Sequence, residues 1–256
     1  MNDKFTAEGI LKRLSRKADI EVYGELDSTN TVAKKRISEG CRQWHTVVAL
    51  SQTGGEGRLG RSFFSPSDTG IYMSCVLYPE AEKLGLITGM AAVAVCEALE
   101  KMGASPSIKW VNDIFVEGKK VCGILAKSVF KEGKICVILG IGLNVFAPEG
   151  GFPEEIRDVA TALFSEKKEG IREKLCAEIL ENLMKRYAFL GEDDAPREYR
   201  RRCITKNKAV KVVRSGSVDA PRDAFCEEIL DNFHLVVRNN DGTREELSSG
   251  EVSVKI

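Results

Sequence analysis

The sequence has no C-x-x-C pair and only two histidines, His45 and His234. Its eight cysteines, at positions 41, 75, 96, 122, 136, 176, 203 and 226, are scattered. A zinc site built from closely spaced ligands is therefore not expected, and the thiols should be reduced and mostly buried. Neither charge is in excess, with 38 Lys and Arg against 38 Asp and Glu. That balance excludes the overall basic field that drives nonspecific nucleic-acid binding and confines any cationic site to a local cluster. No stretch reaches 18 uninterrupted apolar residues, and MNDKFTAEGILKRLSRK carries charges where a signal peptide needs an apolar run. A cytoplasmic enzyme with no membrane partner is the expectation. No internal repeat or low-complexity tract interrupts the chain.

What is present suits one large domain, or one large and one small, because 256 residues with 43% apolar content can build a core without covalent staples. Ile10, Leu11 and Leu14 predict a short amphipathic helix, and IEVYGEL alternates as a half-buried strand. Ser28 or Thr29 can cap a helix over TNTVAKKRISEG, with Gly40 suited to its left-handed end. HTVVALSQ and GIYMSCVLYP predict strands, and LGLITGMAAVAVCEALEKMG a buried helix. SIKW, DIFV, KVCGILAKSVF and KICVILGIGLNVF predict an antiparallel meander with turns at Glu117-Gly118 and Lys131-Glu132-Gly133. Helical periodicity runs over 171–203, and from Ala209 short strands follow, AVKVVR, AFCEEI, FHLVVR and EVSVKI. Their turn signals fall at Ser215-Gly216, Asn240-Asp241-Gly242 and Ser249-Gly250. A division into 1–204 and a small β-barrel over 205–256 is expected.

Gly55, Gly57 and Gly60 satisfy G-x-G-x-x-G after a strand, but Pro66 and a second strand follow where a dinucleotide fold needs a helix. A phosphate-binding P-loop fails as well, since Arg61-Ser62 follows Gly60. The segment TGGEGRLGRS has no apolar pattern with which to order itself without a ligand. It is either a solvated surface loop or a backbone able to fold over an anion, with Arg58 and Arg61 supplying guanidinium forks. KWVND at 109–113 crowds a cation, an aromatic, an amide and a carboxylate at a sheet edge, where alternation puts Lys109, Val111 and Asp113 on one face. EGKKVCGIL is a hairpin with solvated lysines or part of the same site, and the glycines of GIGLNV relieve crowding or line a ligand.

Taken together, Ser28-Thr29-Asn30, Gln52 through Arg61, Lys109 to Leu125 and Gly140 to Asn144 resemble biotin–protein ligases in order and spacing, from about residue 20 to the C-terminus. The resemblance implies an α+β fold: a mixed sheet with flanking helices, related to class II aminoacyl-tRNA synthetases, plus an SH3-like barrel closed by GEVSVKI. It implies ATP-dependent formation of biotinyl-5'-AMP and transfer of biotin to a lysine of a biotin carboxyl carrier protein or another biotin-acceptor domain, with ATP and Mg²⁺ as cofactors and no resident metal site. It assigns biotin to Ser28, Thr29, Asn30, Gln52, Gly55, Glu56, Gly57, Arg58, Lys120, Gly123, Gly140 and Gly142, and the nucleotide to Arg58, Arg61, Phe63, Lys109, Asn112 and Asn144. Arg58, Lys120 and Lys109 would stabilise the charge at phosphorus, while Asp113 either aids deprotonation of the acceptor lysine or supports the structure. Three positions depart from the family pattern: Glu56 replaces arginine in G-R-G-R, Val111 replaces proline in K-W-P-N-D, and Lys127 stands where G-I-L-x-E has an acid. A lipoate–protein ligase is the alternative enzyme. A biotin-responsive repressor is disfavoured, because the 27 residues before Ser28 are too few for a winged helix-turn-helix and SRK at 15–17 is a poor basic patch. Exposed strand edges leave pairing into a homodimer open.

Overall fold

In the computed structural model, residues 5–214, 221–248 and 252–255 are described. Among them a seven-stranded mixed sheet forms the body. Its strands are β1 (Asp19–Leu26), β2 (His45–Gln52), β3 (Gly70–Leu77), β4 (Ser107–Lys109), β5 (Asp113–Val116), β6 (Lys119–Lys131) and β7 (Lys134–Asn144), in the spatial order β1-β2-β3-β7-β6-β5-β4. Only the β1–β2 pair is parallel, which requires the crossover helix between them. The predicted turns at Glu117-Gly118 and Lys131-Glu132-Gly133 are present, each with successive positive φ angles.

Helices cover the two faces unequally. A short α1 (Ala7–Leu11) precedes β1, and α2 (Thr29–Ser38) lies on one face, where Ala33 and Ile37 meet Val47, Val76, Cys136 and Ile138. The opposite face carries α3 (Ile87–Glu100) and α4 (Ile171–Tyr187), packed on Ile71, Met73, Cys75 and Leu77 of β3 and on Val137, Leu139, Ile141 and Leu143 of β7. Period-two alternation thus sends every second residue of β3 and β7 into the larger core. The intervening residues face the side that α2 covers only in part.

The helical stretch expected over 171–203 is two helices, α4 and α5 (Ala195–Arg202), separated by a turn in which Gly191 has φ +86°. YRRR ends α5, its buried Arg202 bound to Glu100 and Glu198. A second sheet, β11-β10-β9-β8-β12, contains β8 (Ala209–Arg214), β9 (Arg222–Ile229), β10 (Leu235–Asn239), β11 (Arg244–Leu247) and β12 (Val252–Lys255). All its pairings are antiparallel, as an SH3-like unit requires. Sequence reasoning missed β11, whose REEL shows only one apolar side chain. Asn240-Asp241-Gly242 does turn the chain between β10 and β11, while the turns predicted at Ser215-Gly216 and Ser249-Gly250 lie outside the described residues.

No helix among the described residues is long and apolar enough to cross a membrane. All eight cysteines are free thiols, with Cys41 and Cys203 partly exposed and the other six buried.

Candidate active site

The half-covered face of the sheet is floored by small residues at alternate strand positions. One row crosses four strand pairings, Tyr72 to Gly142, Gly142 to Gly123, Gly123 to Asp113 and Asp113 to Lys109. The next row runs from Ser74 through Gly140 to Leu125, and the one after it from Val76 through Ile138 to Lys127. The strand GIGLN therefore puts Ile141 and Leu143 into the core and opens space above Gly140 and Gly142. A Cβ on Gly142 would stand 2.6 Å from the Phe63 ring, and one on Gly140 would stand 2.8 Å from Asn30 Oδ1. A larger residue at either position would have to displace those neighbours.

Over this floor the polar ends converge. Ser28 is the N-cap of α2, its Oγ accepting from the Asn30 amide at 3.2 Å. Gln52, at the end of β2, accepts at Oε1 from the Thr29 amide at 2.8 Å and from the Thr29 hydroxyl at 3.1 Å. Its Nε2 donates to Ser65 at 3.0 Å, and Ser65 donates to the Phe63 carbonyl at 2.9 Å. Beneath them Ser74, fully buried on β3, lies 2.7 Å from both Thr29 Oγ1 and Asn30 Oδ1. Its single proton can serve one of them at a time. Sequence reasoning missed Ser65 and Ser74, because a serine inside an apolar strand carries no local sign of what it faces.

The glycine–arginine segment is, as expected, a loop between β2 and β3. It folds back as an irregular hairpin, with bridges Gln52–Ser65 and Glu56–Ser62 and bonds from Gly57 N to Arg61 O at 2.7 Å and from Phe63 N to Gly55 O at 2.8 Å. It orders through these main-chain bonds and polar side-chain ties in place of an apolar pattern. Arg58 reaches across to Asn112, donating to Oδ1 at 3.1 Å, while Asn112 Nδ2 donates to the Ile124 carbonyl at 2.8 Å. Burial lowers the Arg58 pKa from its usual value, outweighing the attraction of Asp113. Glu56 accepts from Lys127 at 2.7 Å and from Asn30 Nδ2 at 2.9 Å, contacts that hold its carboxyl below the ordinary range, Lys127 first.

KWVND does not continue a strand. Residues 110–112 form the turn between β4 and β5, so Lys109 and Asp113 are cross-strand partners and the alternation expected through Val111 does not apply. The Trp110–Val111 peptide is cis. The turn is held from behind: Trp110 Nε1 donates to the Phe233 carbonyl at 2.8 Å, Trp110 N to Thr205 Oγ1 at 2.9 Å, and Tyr199 Oη to the Val111 carbonyl at 3.0 Å. Asp113 ion-pairs with Lys120 at 2.7 Å. The segment after β7 clamps the backbone of Lys120, whose N–H donates to Val159 O at 2.8 Å and whose carbonyl accepts from Thr161 N at 2.9 Å.

One inner cleft is lined by Thr29, Asn30, Gln52, Glu56, Gly57, Arg58, Phe63, Asn112, Lys120, Gly123, Gly140 and Gly142 together. Phe63, expected near the nucleotide, lies over Gly123 and Gly142 among the residues expected around biotin. An adjoining outer cleft runs between the hairpin, Val111 and Ile124–Lys127, and Gly55 and Arg61 line it. Lys109 and Asn144 line neither; Lys109 Nζ stands 5.8 Å from the centre of the Phe115 ring, and Asn144 donates to Thr161 O at 3.1 Å. No cluster of three His, Cys, Asp or Glu side chains able to hold a metal occurs among the described residues.

Two cations, Arg58 and Lys120, thus meet a polar row, Thr29-Asn30-Gln52, in one cleft on this mixed sheet. Residues 23–144 match the Biotin/lipoate A/B protein ligase family. The chain around them has the biotin protein ligase fold: it is similar to the biotin protein ligase from Aquifex aeolicus in complex with biotin and ATP, with a TM-score of 0.74 and 26% identity, over 93% of this chain and 98% of that one. It is 39% identical over 142 residues to the bifunctional ligase/repressor BirA of Bacillus subtilis, covering 54% of this chain and 44% of that protein. It is 28% identical over 214 residues to the biotin–[acetyl-CoA-carboxylase] ligase of Mycobacterium tuberculosis, covering 78% of this chain and 76% of that one. The chain spans about half the length of the BirA proteins of two Bacillus species that it matches, 44% and 51%.

Proposed function

We propose that this protein activates biotin with ATP and transfers the biotinyl group to a lysine of a biotin carboxyl carrier protein or similar acceptor domain in the cytoplasm. The observation that carries this is the convergence in one cleft of a polar row, Thr29-Asn30-Gln52, with two cations, Arg58 and Lys120, over a glycine floor. The polar row suits the ureido ring, and the cations suit a carboxylate and a phosphate. Support comes from relatives named as biotin ligases and from a neighbour of the same fold described with biotin and ATP.

A carboxylate does not acylate an amine at neutral pH, since its charge repels the nucleophile and oxide is a poor leaving group. In the first step a biotin carboxylate oxygen bonds to the α-phosphorus of ATP and the bond to pyrophosphate breaks. Arg58 and Lys120 stabilise the negative charge gathered there, because they are fixed before it develops. In the second step the acceptor amine bonds to the carbonyl carbon, AMP leaves and the amine loses a proton. Asp113 is engaged with Lys120, so its first task is to aim that ammonium. The cleft offers few carboxylates, and a Mg²⁺ ion fits only as part of the substrate, carried on the ATP phosphates.

The test is pyrophosphate release from MgATP with biotin or lipoate as the acid, followed by transfer of labelled biotin to an acceptor domain. Biotin-dependent release with transfer is expected. Release driven by lipoate alone assigns the protein to lipoate ligation, and release with neither acid overturns both.

A further inference from the structure

Two of the three departures from the family pattern touch each other. Glu56 sits on the hairpin where the pattern has arginine, Lys127 sits on β6 where it has an acid, and their charged atoms are 2.7 Å apart. The oxygen that accepts from Lys127 also accepts from Asn30 Nδ2 at 2.9 Å. One carboxylate oxygen thus ties one arm of the hairpin to the sheet through β6 and to the start of α2 through Asn30. Without the Lys127 contact the Glu56 carboxylate keeps only the uncharged tie to Asn30 Nδ2, so its hold on the hairpin weakens.

We propose that Lys127 is a positioning residue that, through Glu56, latches the glycine–arginine hairpin over the inner cleft and fixes the Asn30 amide, with charge signs reversed from those of the family pattern. The two side chains are 43% and 37% exposed, so the latch is solvated and biases the hairpin without locking it. Exposed pairs of this kind shift an equilibrium by about two- to fivefold. A substrate that must enter and a product that must leave need a closure of that modest strength. Only the consequence for biotin rests on the function proposed above.

Amide hydrogen exchange of the ligand-free full chain reads the latch directly. The Gly57 and Phe63 amides are bonded inside the hairpin, so peptides spanning 53–63 report its opening. Lys127→Glu sets two carboxylates face to face and is expected to speed exchange there by about five- to twentyfold, combining the lost attraction with a repulsion of similar size. The double variant Glu56→Lys, Lys127→Glu restores attraction with the signs exchanged and is expected to exchange within about twofold of the wild type. Peptides from α3 control for folding and should not change. Unaltered exchange in Lys127→Glu, or a double variant as fast as the single, overturns the latch. In biotin-dependent pyrophosphate exchange, Lys127→Glu is expected to raise KM for biotin by about the same factor with kcat within about twofold. A fall in kcat at constant KM overturns the positioning role. Should biotin not bind at all, the proposed function fails while the ligand-free exchange still decides the latch.

Discussion

Replacing Lys120 with alanine separates chemistry from stability more cleanly than any other change in the cleft. The side chain is 32% exposed and its partner Asp113 28%, so their ion pair is partly solvated and worth at most about 1 kcal/mol to folding. The backbone is clamped independently of the side chain, by Val159 O and Thr161 N. Lys120→Ala should therefore fold, with Tm lowered by no more than about 2–4 °C for a chain of this size. The rate should respond differently. Lys120 Nζ already holds a carboxylate at 2.7 Å beside Gly123 and Phe63, the geometry needed to receive the biotin carboxylate as charge builds at phosphorus. Losing one preorganised donor costs about 10²- to 10³-fold, or about 2.7–4 kcal/mol of transition-state stabilisation. Biotin-dependent exchange of labelled pyrophosphate into ATP measures that loss, because it follows adenylate formation without an acceptor. A Lys120→Ala enzyme exchanging within about threefold of wild type would refute the assignment of Lys120 to the chemical step.

Gly142→Ala would press a methyl group against the Phe63 ring and is expected to weaken biotin binding by about tenfold or more, the cost of one overpacked methyl; titration calorimetry showing unchanged affinity would place biotin elsewhere. Glu21 is gripped by Arg36 at 2.7 and 2.9 Å, which, ahead of its contact with Tyr23, depresses its carboxyl from 4.5 to about 2. Its contribution is therefore complete above the unfolded pKa and is lost as pH falls from about 4.5 toward about 2. Glu21→Gln should cost about 1 kcal/mol at pH 7 after solvent screening, with the gap to wild type closing as acid is added; urea midpoints separated equally at pH 7 and pH 3 would contradict this. Among the thiols, Cys41 is partly exposed while Cys75, Cys96, Cys122 and Cys176 are buried and pushed well up by desolvation. Alkylation of the native protein should begin at Cys41 or Cys203, the two partly exposed thiols, and mass-mapped labelling that begins at any of those four would show that the core opens.

How much of this was legible in the sequence depends on how local the cause is. The strands β2, β3, β6 and β7 and the helices α2 and α3 follow from periodicity and caps within each segment, and the glycine floor follows from the alternation in GIGLN. The path of the loop over 53–63 is not legible in the sequence, because it is set by backbone bonds and by Glu56, whose partners Asn30 and Lys127 lie 26 and 71 positions away. The same distance hid the meaning of Glu56. Read alone, it is an anion where the substrate's anions must come; beside Lys127 its charge is answered.

Trp110 carries this furthest. A tryptophan next to a charged pair suggested a strand with its ring in the core, and the ring is indeed buried. Yet its indole N–H is satisfied by Phe233 and its amide by Thr205, 123 and 95 positions along the chain. Phe233 in turn packs on Tyr199, whose hydroxyl bonds to Val111. The C-terminal sheet and α5 therefore fix the turn from which Asn112 reaches Arg58 and Asp113 reaches Lys120. The cations face the cleft because a remote part of the chain braces the turn that holds them, and trimming the Phe233 ring would loosen the site without touching a single residue that lines it.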